Sequence, residues 1–282
     1  MPERVRVQEV FNDVRAHRRV ADLIRRFSTN KRDVRQAAME ALDIKGCRSI
    51  LDLGCAFGSF AESLKGRVHP QATITGVDVV EAYEPMFLDA CRRAGMSGRF
   101  FPGGASVLKT FADRSFDLIL CSYALYFFPD AVEDIARLLS REGIFIAITH
   151  HQRNAGELID LTKNILRAEG LFHEKELPFE TIIGRFSSEN GEALLNPWFG
   201  KIKTIDYLNS LVFPPADVLQ LLEYLRFKSP LYFMGTGRDT EAILALIREY
   251  LVGVSSGKNS LTISKDDRIF ICALPRHGEN KP

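Results

Sequence analysis

Between Ser49 and His151 the chain alternates short apolar runs with segments whose apolar residues recur every three or four positions. The runs Ser49 to Leu53, Thr73 to Val77, Arg99 to Phe101, Phe116 to Cys121 and GIFIAITHH from Gly143 predict five strands. Ser59 to Leu64, Glu84 to Arg93 and Ala131 to Leu139 predict the helices between them. Strands separated by helices pair in parallel through right-handed crossovers, so the pattern predicts an α/β, doubly wound sheet with helices on both faces. Ligands of such sheets sit at the carboxyl ends of the strands.

The flanks are read the same way. From Val5 to Leu42 the pattern is helical, with Val10, Val14, Val20, Leu23, Ile24 and Phe27 at three- and four-residue steps. The interleaved Arg15, Arg18, Arg19, Arg25, Arg26, Lys31, Arg32 and Arg35 read as the solvated face of amphipathic helices. After the fifth strand, Asn154 to Glu169, Ala216 to Arg226 and Thr240 to Val252 are expected to be helical, and KIKTIDYLNSLVFPP supplies strand character. The segment SLTISKDDRIFICALP splits at Lys265-Asp266-Asp267 into two β-rich pieces, which predicts a hairpin or a bend.

Composition narrows the partners. With 37 basic and 36 acidic residues the net charge is +1, so no global field draws nucleic acid or an anionic membrane, and a small-molecule partner is expected. MPERVRVQEVF carries charge where a signal peptide is apolar, and the longest apolar run, Leu118 to Phe128, is too short to span a bilayer; a cytoplasmic protein is expected. Cys47, Cys55, Cys91, Cys121 and Cys272 are scattered and lack C-x-x-C spacing, which points to buried, reduced thiols and to no metal site.

The first strand ends in ILDLGCAFG, Ile50 to Gly58. A strand closing on Asp52, then a glycine turn, then a helix, suits a nucleoside ligand. Gly54 permits a positive φ and close backbone approach, and Gly58 permits close packing of the helix. The dinucleotide fingerprint G-x-G-x-x-G fails, because Ala56 or Phe57 stands where backbone would meet pyrophosphate; a phosphate-binding P-loop fails because no Lys-Ser or Lys-Thr pair follows Gly58. In GVDVVEAYEPMF, Asp78 ends the second strand, where a carboxylate can accept from both ribose hydroxyls.

These residues resemble motif I of class I S-adenosylmethionine-dependent methyltransferases, an acidic residue, any residue, then Gly-x-Gly-x-Gly, with Ala56 in place of the middle glycine. A third match is GGASVLKTFADRSFDLILCSYALYFFPD, with Phe116-Asp117 before the fourth strand and an aromatic turn, Tyr123 to Asp130, after it. Gly104 stands where the family commonly has the acid that meets adenine, so Ala105 or Ser106 would serve by backbone or hydroxyl; Asp117 itself is expected to cap or brace a strand. The resemblance implies S-adenosylmethionine as cofactor, S-adenosylhomocysteine as product, and a cofactor site of Asp52, Gly54, Cys55, Ala56, Gly58, Asp78, Val79, Ala105, Ser106 and Ser122. It also implies a seven-stranded, mostly parallel sheet of order 3-2-1-4-5-7-6 with strand seven antiparallel, Lys203 to Leu208 belonging to strand six and Arg268 to Ala273 to strand seven. Residues 1–282 are expected to form one methyltransferase domain: a helical extension (1–46), the cofactor-binding core (47–151), and helices, strands and an insertion over the acceptor site (152–282).

Methyl transfer from a sulfonium is an in-line displacement that needs alignment and exclusion of water more than a dedicated nucleophile. Candidate acceptor-side residues follow strands four and five. Tyr126 is favoured among Tyr123, Tyr126, Phe127 and Phe128; only one of His150 and His151 can easily face the cleft, either could serve as a base, and His150 is taken as the candidate. Trp198 and Phe199 either cover the acceptor or pack against a helix. The Asn/Asp-Pro-Pro-Tyr/Phe tetrapeptide of amino-methylating enzymes is missing after strand four, and the Lys-Asp-Lys-Glu set of ribose methyltransferases cannot be assembled, which lowers the odds of a nucleic acid substrate. The leading expectation is methylation of an oxygen, nitrogen or carbon of a small metabolite. An NAD(P)-dependent oxidoreductase, an RNA or protein methyltransferase docking through the basic N-terminal helix, and a non-catalytic cofactor-binding relative are the alternatives.

Overall fold

The computed structural model describes residues 7–40, 42–257 and 259–276. Nine strands lie among them: β1 (Ser49–Leu53), β2 (Thr73–Asp78), β3 (Ser97–Pro102), β4 (Phe116–Ser122), β5 (Leu139–His150), β6 (Phe199–Tyr207), β7 (Ser210–Phe213), β8 (Leu261–Ser264) and β9 (Asp267–Pro275). The chain divides into two compact units. One holds the described residues up to Lys31, Gln152–Ile183 and Leu208–Asp266; the other holds Arg32–His151, Gly184–Tyr207 and the described residues from Asp267 on.

The second of these is the sheet unit. Its seven strands run in the order β3-β2-β1-β4-β5-β9-β6; β1 to β5 pair in parallel, and β9 lies antiparallel between β5 and β6. This is the expected order, with β9 as the seventh strand of the sheet. The parallel strands are nearly continuous runs of buried residues, as strands covered on both faces must be: Ile50, Leu51 and Leu53 in β1, Leu118 to Cys121 in β4, Phe145 to Ile148 in β5. Helices Ser59–Ser63 and Glu84–Ala94 and the short helix Val34–Met39 pack on them, Phe60, Phe87, Ala90 and Met39 sharing one core with Ile50, Ile74 and Leu118. Asp117 does brace a strand: its Oδ2 accepts from the amides of Arg48 (2.9 Å) and Ser49 (3.1 Å) at the start of β1.

The other unit is mainly helical. Val14–Phe27, Gly156–Ala168, Leu221–Phe227 and Thr240–Ser255 bury their apolar faces together, with Leu23, Phe27, Leu158, Leu225, Ile243 and Ile247 in one core. The helical stretch expected from Val5 to Leu42 is three helices, Val7–Phe11, Val14–Phe27 and Val34–Met39; residues 5, 6 and 41 lie outside the described residues. Asp13 and Asp33 open the second and third by capping them with their carboxylates. The sequence at Lys265-Asp266-Asp267 is a break and not a hairpin: β8 pairs with β7 in a separate two-stranded sheet, whereas β9 enters the large one.

Candidate active site

Because β1 to β4 are parallel and adjacent, their carboxyl ends share one edge of the sheet. The turn after β1 has left-handed backbone at alternate residues, Gly54 (φ 74°), Ala56 (φ 42°) and Gly58 (φ 81°). The amides of Gly54 and Cys55 both donate to the carbonyl of Val77 (2.8 and 3.3 Å), tying the turn to the end of β2. The two glycines also answer a packing demand: a Cβ on Gly54 would lie 2.6 Å from Cβ of Ala124, and one on Gly58 would lie 2.6 Å from Cβ of Ala90. Ala56, the departure from the motif, keeps the glycine-like backbone despite its methyl group, a conformation that disfavours an L residue by roughly 1–2 kcal/mol.

Asp78 explains how that strain is held. Its Oδ2 accepts from the Ala56 amide (2.9 Å) and its Oδ1 from the Val80 amide (2.9 Å), so one carboxylate braces the turn and the exit of β2 together. Burial raises its pKa, and the backbone hydrogen bonds oppose that rise. Asp52 is buried inside the sheet, 2% exposed, and burial lifts its pKa to about 7; Arg35 pulls it down and Asp78 pushes it further up. The Cys55 thiol, also buried, is raised well above its ordinary value. The amide of Gly103 donates to the carbonyl of Asp78 (2.8 Å), which sets the turn Ala105–Thr110, and with it Ala105 and Ser106, beside the end of β2. Val79 follows Asp78, and Ser122 ends β4; both are half-buried.

The acceptor-side candidates also meet. Tyr123, at φ 56°, stacks on His150 with ring centroids 4.6 Å apart, and Tyr126 lies parallel to His150 at 5.9 Å. His150 Nδ1 is 2.7 Å from Asp267 Oδ1, and the Tyr123 hydroxyl donates to Asp267 Oδ2 at 2.7 Å. The register makes this possible, since Asp267, first residue of β9, stands opposite His150 on β5 and Tyr207 on β6. Strand alternation separates the two histidines: His150 is buried with Asp267, while His151 turns outward to Glu189 (2.8 Å). Phe199 is fully buried and stacks on Phe145 at 5.8 Å, so it is a core residue of the sheet and does not cover an acceptor.

Two residues were not singled out by sequence reasoning. Asp267 sits 117 positions from its histidine, beyond any local spacing rule. Arg35, grouped there with the solvated arginines, is only 20% exposed in its side chain and lies over the Phe60 ring, 5.8 Å from its centroid. Among the described residues no cluster of three or more His, Cys, Asp or Glu is placed to hold a metal ion, and no helix is long and apolar enough to cross a membrane. The five cysteines are unpaired.

Strand order, glycine turn and paired acids at the strand ends are those of a class I, Rossmann-like methyltransferase, and residues 51–147 match a family model described as a methyltransferase domain. The chain carries this domain match at residues 51–147. It is 27% identical over 136 residues to an uncharacterized methyltransferase, YcgJ, of Bacillus subtilis (46% of this chain, 53% of YcgJ). It is 33% identical over 136 residues to a demethylmenaquinone methyltransferase of Deinococcus radiodurans (47% of this chain, 54% of that protein). The chain thus spans about half the length of the curated relatives it matches. The crystal structure of YcgJ shares the fold with a TM-score of 0.53 at 20% identity, over 86% of this chain and 99% of YcgJ.

Proposed function

We propose that this protein transfers a methyl group from S-adenosylmethionine to an oxygen, nitrogen or carbon of a small metabolite in the cytoplasm, releasing S-adenosylhomocysteine. The observation that carries the reading is the pair of acids at the strand ends, Asp52 beside the left-handed turn and Asp78 bonded to it. The donor set fits the cofactor. The Asp78 carboxylate takes the amides of Ala56, Val79 and Val80, and a carboxylate with about four lone-pair sites keeps acceptor capacity for a ribose hydroxyl. Asp52, half-ionised near neutrality, suits an ammonium group, whose charge would favour its carboxylate form. Ala105 and Ser106, in the turn tied to the end of β2, would meet the adenine by backbone or hydroxyl. The Ala56 amide is already committed to Asp78, so it cannot also cradle a pyrophosphate; this supports a phosphate-free cofactor over NAD(P).

When bound, the cofactor supplies an electrophilic methyl group on a sulfonium. The chain's own contribution is then alignment and proton handling. The flat stack of Tyr123, His150 and Tyr126 offers aromatic faces to a planar or cationic acceptor. With the His150 Nδ1 proton held by Asp267, Nε2 carries the lone pair that would accept a proton from the acceptor. A small-molecule acceptor is favoured over RNA or protein because arginines of the N-terminal helix are neutralised within their own unit: Arg19 by Glu223, Arg25 by Asp22, Arg26 by Asp217.

Calorimetric titration of ligand-free protein with S-adenosylmethionine and S-adenosylhomocysteine tests the cofactor. Binding of both with one-to-one stoichiometry is expected; binding of NADH or NADPH in their stead would replace the reading with an oxidoreductase.

A further inference from the structure

Tyr123 follows the last residue of β4 with φ 56°, left-handed backbone that a bulky residue rarely adopts. Its amide donates to the carbonyl of Ile148 (2.8 Å), which carries the β4–β5 ladder one step past Ser122 and turns the side chain onto β5. Such a conformation persists only where surrounding contacts hold it, and two contacts of the side chain do so. The ring lies on the His150 imidazole, centroids 4.6 Å apart and planes 24° apart, and the hydroxyl donates to Asp267 Oδ2 at 2.7 Å. Burial and the charge of Asp267 push that hydroxyl well above its ordinary range, with Arg35 opposing, so it remains a donor at any working pH. Tyr123 therefore touches both members of the His150–Asp267 pair. The other titratable or charged groups on the elements packed there are placed differently: Tyr126 lies flat to the imidazole at 5.9 Å, Tyr207 donates to the Arg32 carbonyl, Arg268 pairs with Asp206, and His151 turns to Glu189.

A donor on a carboxylate spreads its charge and lowers its proton affinity, so what Tyr123 takes from Asp267 is withdrawn from the imidazole on the other oxygen. We propose that Tyr123 is a positioning residue that sets how tightly His150 holds a proton: its hydroxyl weakens the pull of Asp267 on the imidazolium, while its ring keeps the imidazole flat. The inference rests on the reading above, in which His150 accepts the acceptor's proton. A histidine paired with an unshared buried aspartate would already carry a solvent proton at neutral pH and could not take another; sharing the aspartate with a phenol keeps the base free.

The test reads the proton directly. Histidine ring nitrogens are followed by NMR from about pH 5 to 9 in ligand-free wild type, Tyr123→Phe, Asp267→Asn and the double variant; among the six histidines, the His150 signal is the one missing from His150→Ala. Phenylalanine keeps the ring and removes only the donor. Tyr123→Phe should raise the His150 midpoint by about half a unit to one unit, Asp267→Asn should lower it, and in the double variant the phenylalanine should add no shift. A merely structural role for Tyr123 would move the midpoint equally with Asp or Asn at position 267. That outcome, or an unmoved or lowered midpoint in Tyr123→Phe, overturns the proposal. Should Tyr123→Phe not fold by circular dichroism, 3-fluorotyrosine in place of Tyr123, a stronger donor of nearly the same size, should lower the midpoint; an unchanged or raised one overturns the proposal equally. The titration uses neither cofactor nor acceptor, so its failure leaves the cofactor reading standing, and failure of S-adenosylmethionine to bind in calorimetry removes that reading separately.

Discussion

His150 and Asp267 face each other across the β5–β9 ladder, with His150 Nδ1 2.7 Å from Asp267 Oδ1. Both are buried, and the second carboxylate oxygen is held by the Tyr123 hydroxyl. The arrangement fixes the ring orientation of the histidine and leaves Nε2 as its basic nitrogen. Substituting Asp267→Asn should therefore lower turnover tenfold or more while the dissociation constant of S-adenosylhomocysteine moves less than threefold. His150→Ala should behave alike, and the double variant should be no worse than either single one. Steady-state kinetics beside calorimetry check this; equal changes in turnover and cofactor affinity would return both residues to structural duty.

Asp52 has a pKa of about 7 in the folded protein against an ordinary carboxyl value of 3.8. Below pH 7 it is mainly protonated, and an ammonium placed beside it would favour the carboxylate. Cofactor binding at pH 6 should thus release close to one proton, and affinity should rise with pH until about 7. The sign for stability is the opposite one. The folded state holds the extra proton between about pH 4 and 7, so the contribution of Asp52 is full below pH 4 and is lost as pH rises through 7. Calorimetry in buffers of differing ionisation enthalpy reads the proton directly, and Asp52→Asn should abolish its release.

The turn after β1 predicts a pattern of rescue. Gly54→Ala and Gly58→Ala each combine a positive φ with a close Cβ contact, and each should cost about 1–3 kcal/mol in urea denaturation. Adding Ala124→Gly to the first, or Ala90→Gly to the second, removes the clash and leaves the backbone strain, so each pair should recover part of the loss beyond the cost of its second substitution. Ala56→Gly should relieve its own strain, with a net gain of up to about 1 kcal/mol after the entropy of glycine is counted.

In the helical unit, Lys228 is enclosed by the rings of Phe11 and Phe227, with its ammonium 4.8 and 5.5 Å from their centroids. Burial, aided by the charge of Lys265, lowers its pKa from 10.5 to about 7. As pH falls from 10.5 to 7 the unfolded chain takes up a proton that the folded one does not, so stability falls across that window and levels off below it. Lys228→Met should therefore raise the melting temperature at pH 6 and give little advantage at pH 10. Calorimetric scans at the two values separate this from a general packing effect, which would be equal at both.

Much of the sheet was legible because the central stretches of β1, β4 and β5, Ile50 to Leu53, Leu118 to Cys121 and Phe145 to Ile148, are buried on both faces and so are almost wholly apolar, and because the helices between them keep a three- and four-residue repeat. The glycine turn was legible for a related reason: few residues other than glycine adopt its backbone, and Asp52 and Asp78 bracket it. What stayed hidden depends on distance along the chain. Nothing near His150 in sequence announces Asp267, which reaches it only through strand pairing. Arg35 looked like any exposed arginine because helical spacing does not record that the helix bearing it is sunk on its other faces into the core. The two β pieces around Lys265 were visible, but their allegiance to different sheets is a matter of partners, which a local pattern does not carry.

The position of β9 has a consequence for how the protein is made. Among the described residues β6 has β9 as its sole neighbour in the sheet, and between them the ribosome must first produce Leu208–Asp266, which belong to the other unit. Until then β6 has no ladder to join, β5 presents a bare edge, and the histidine has no carboxylate to hold it. Assembly of the sheet unit is therefore a late, long-range event. A nascent chain halted before Asp267 would hold the glycine turn and both of its flanking acids yet leave His150 and Tyr123 without the carboxylate that joins them.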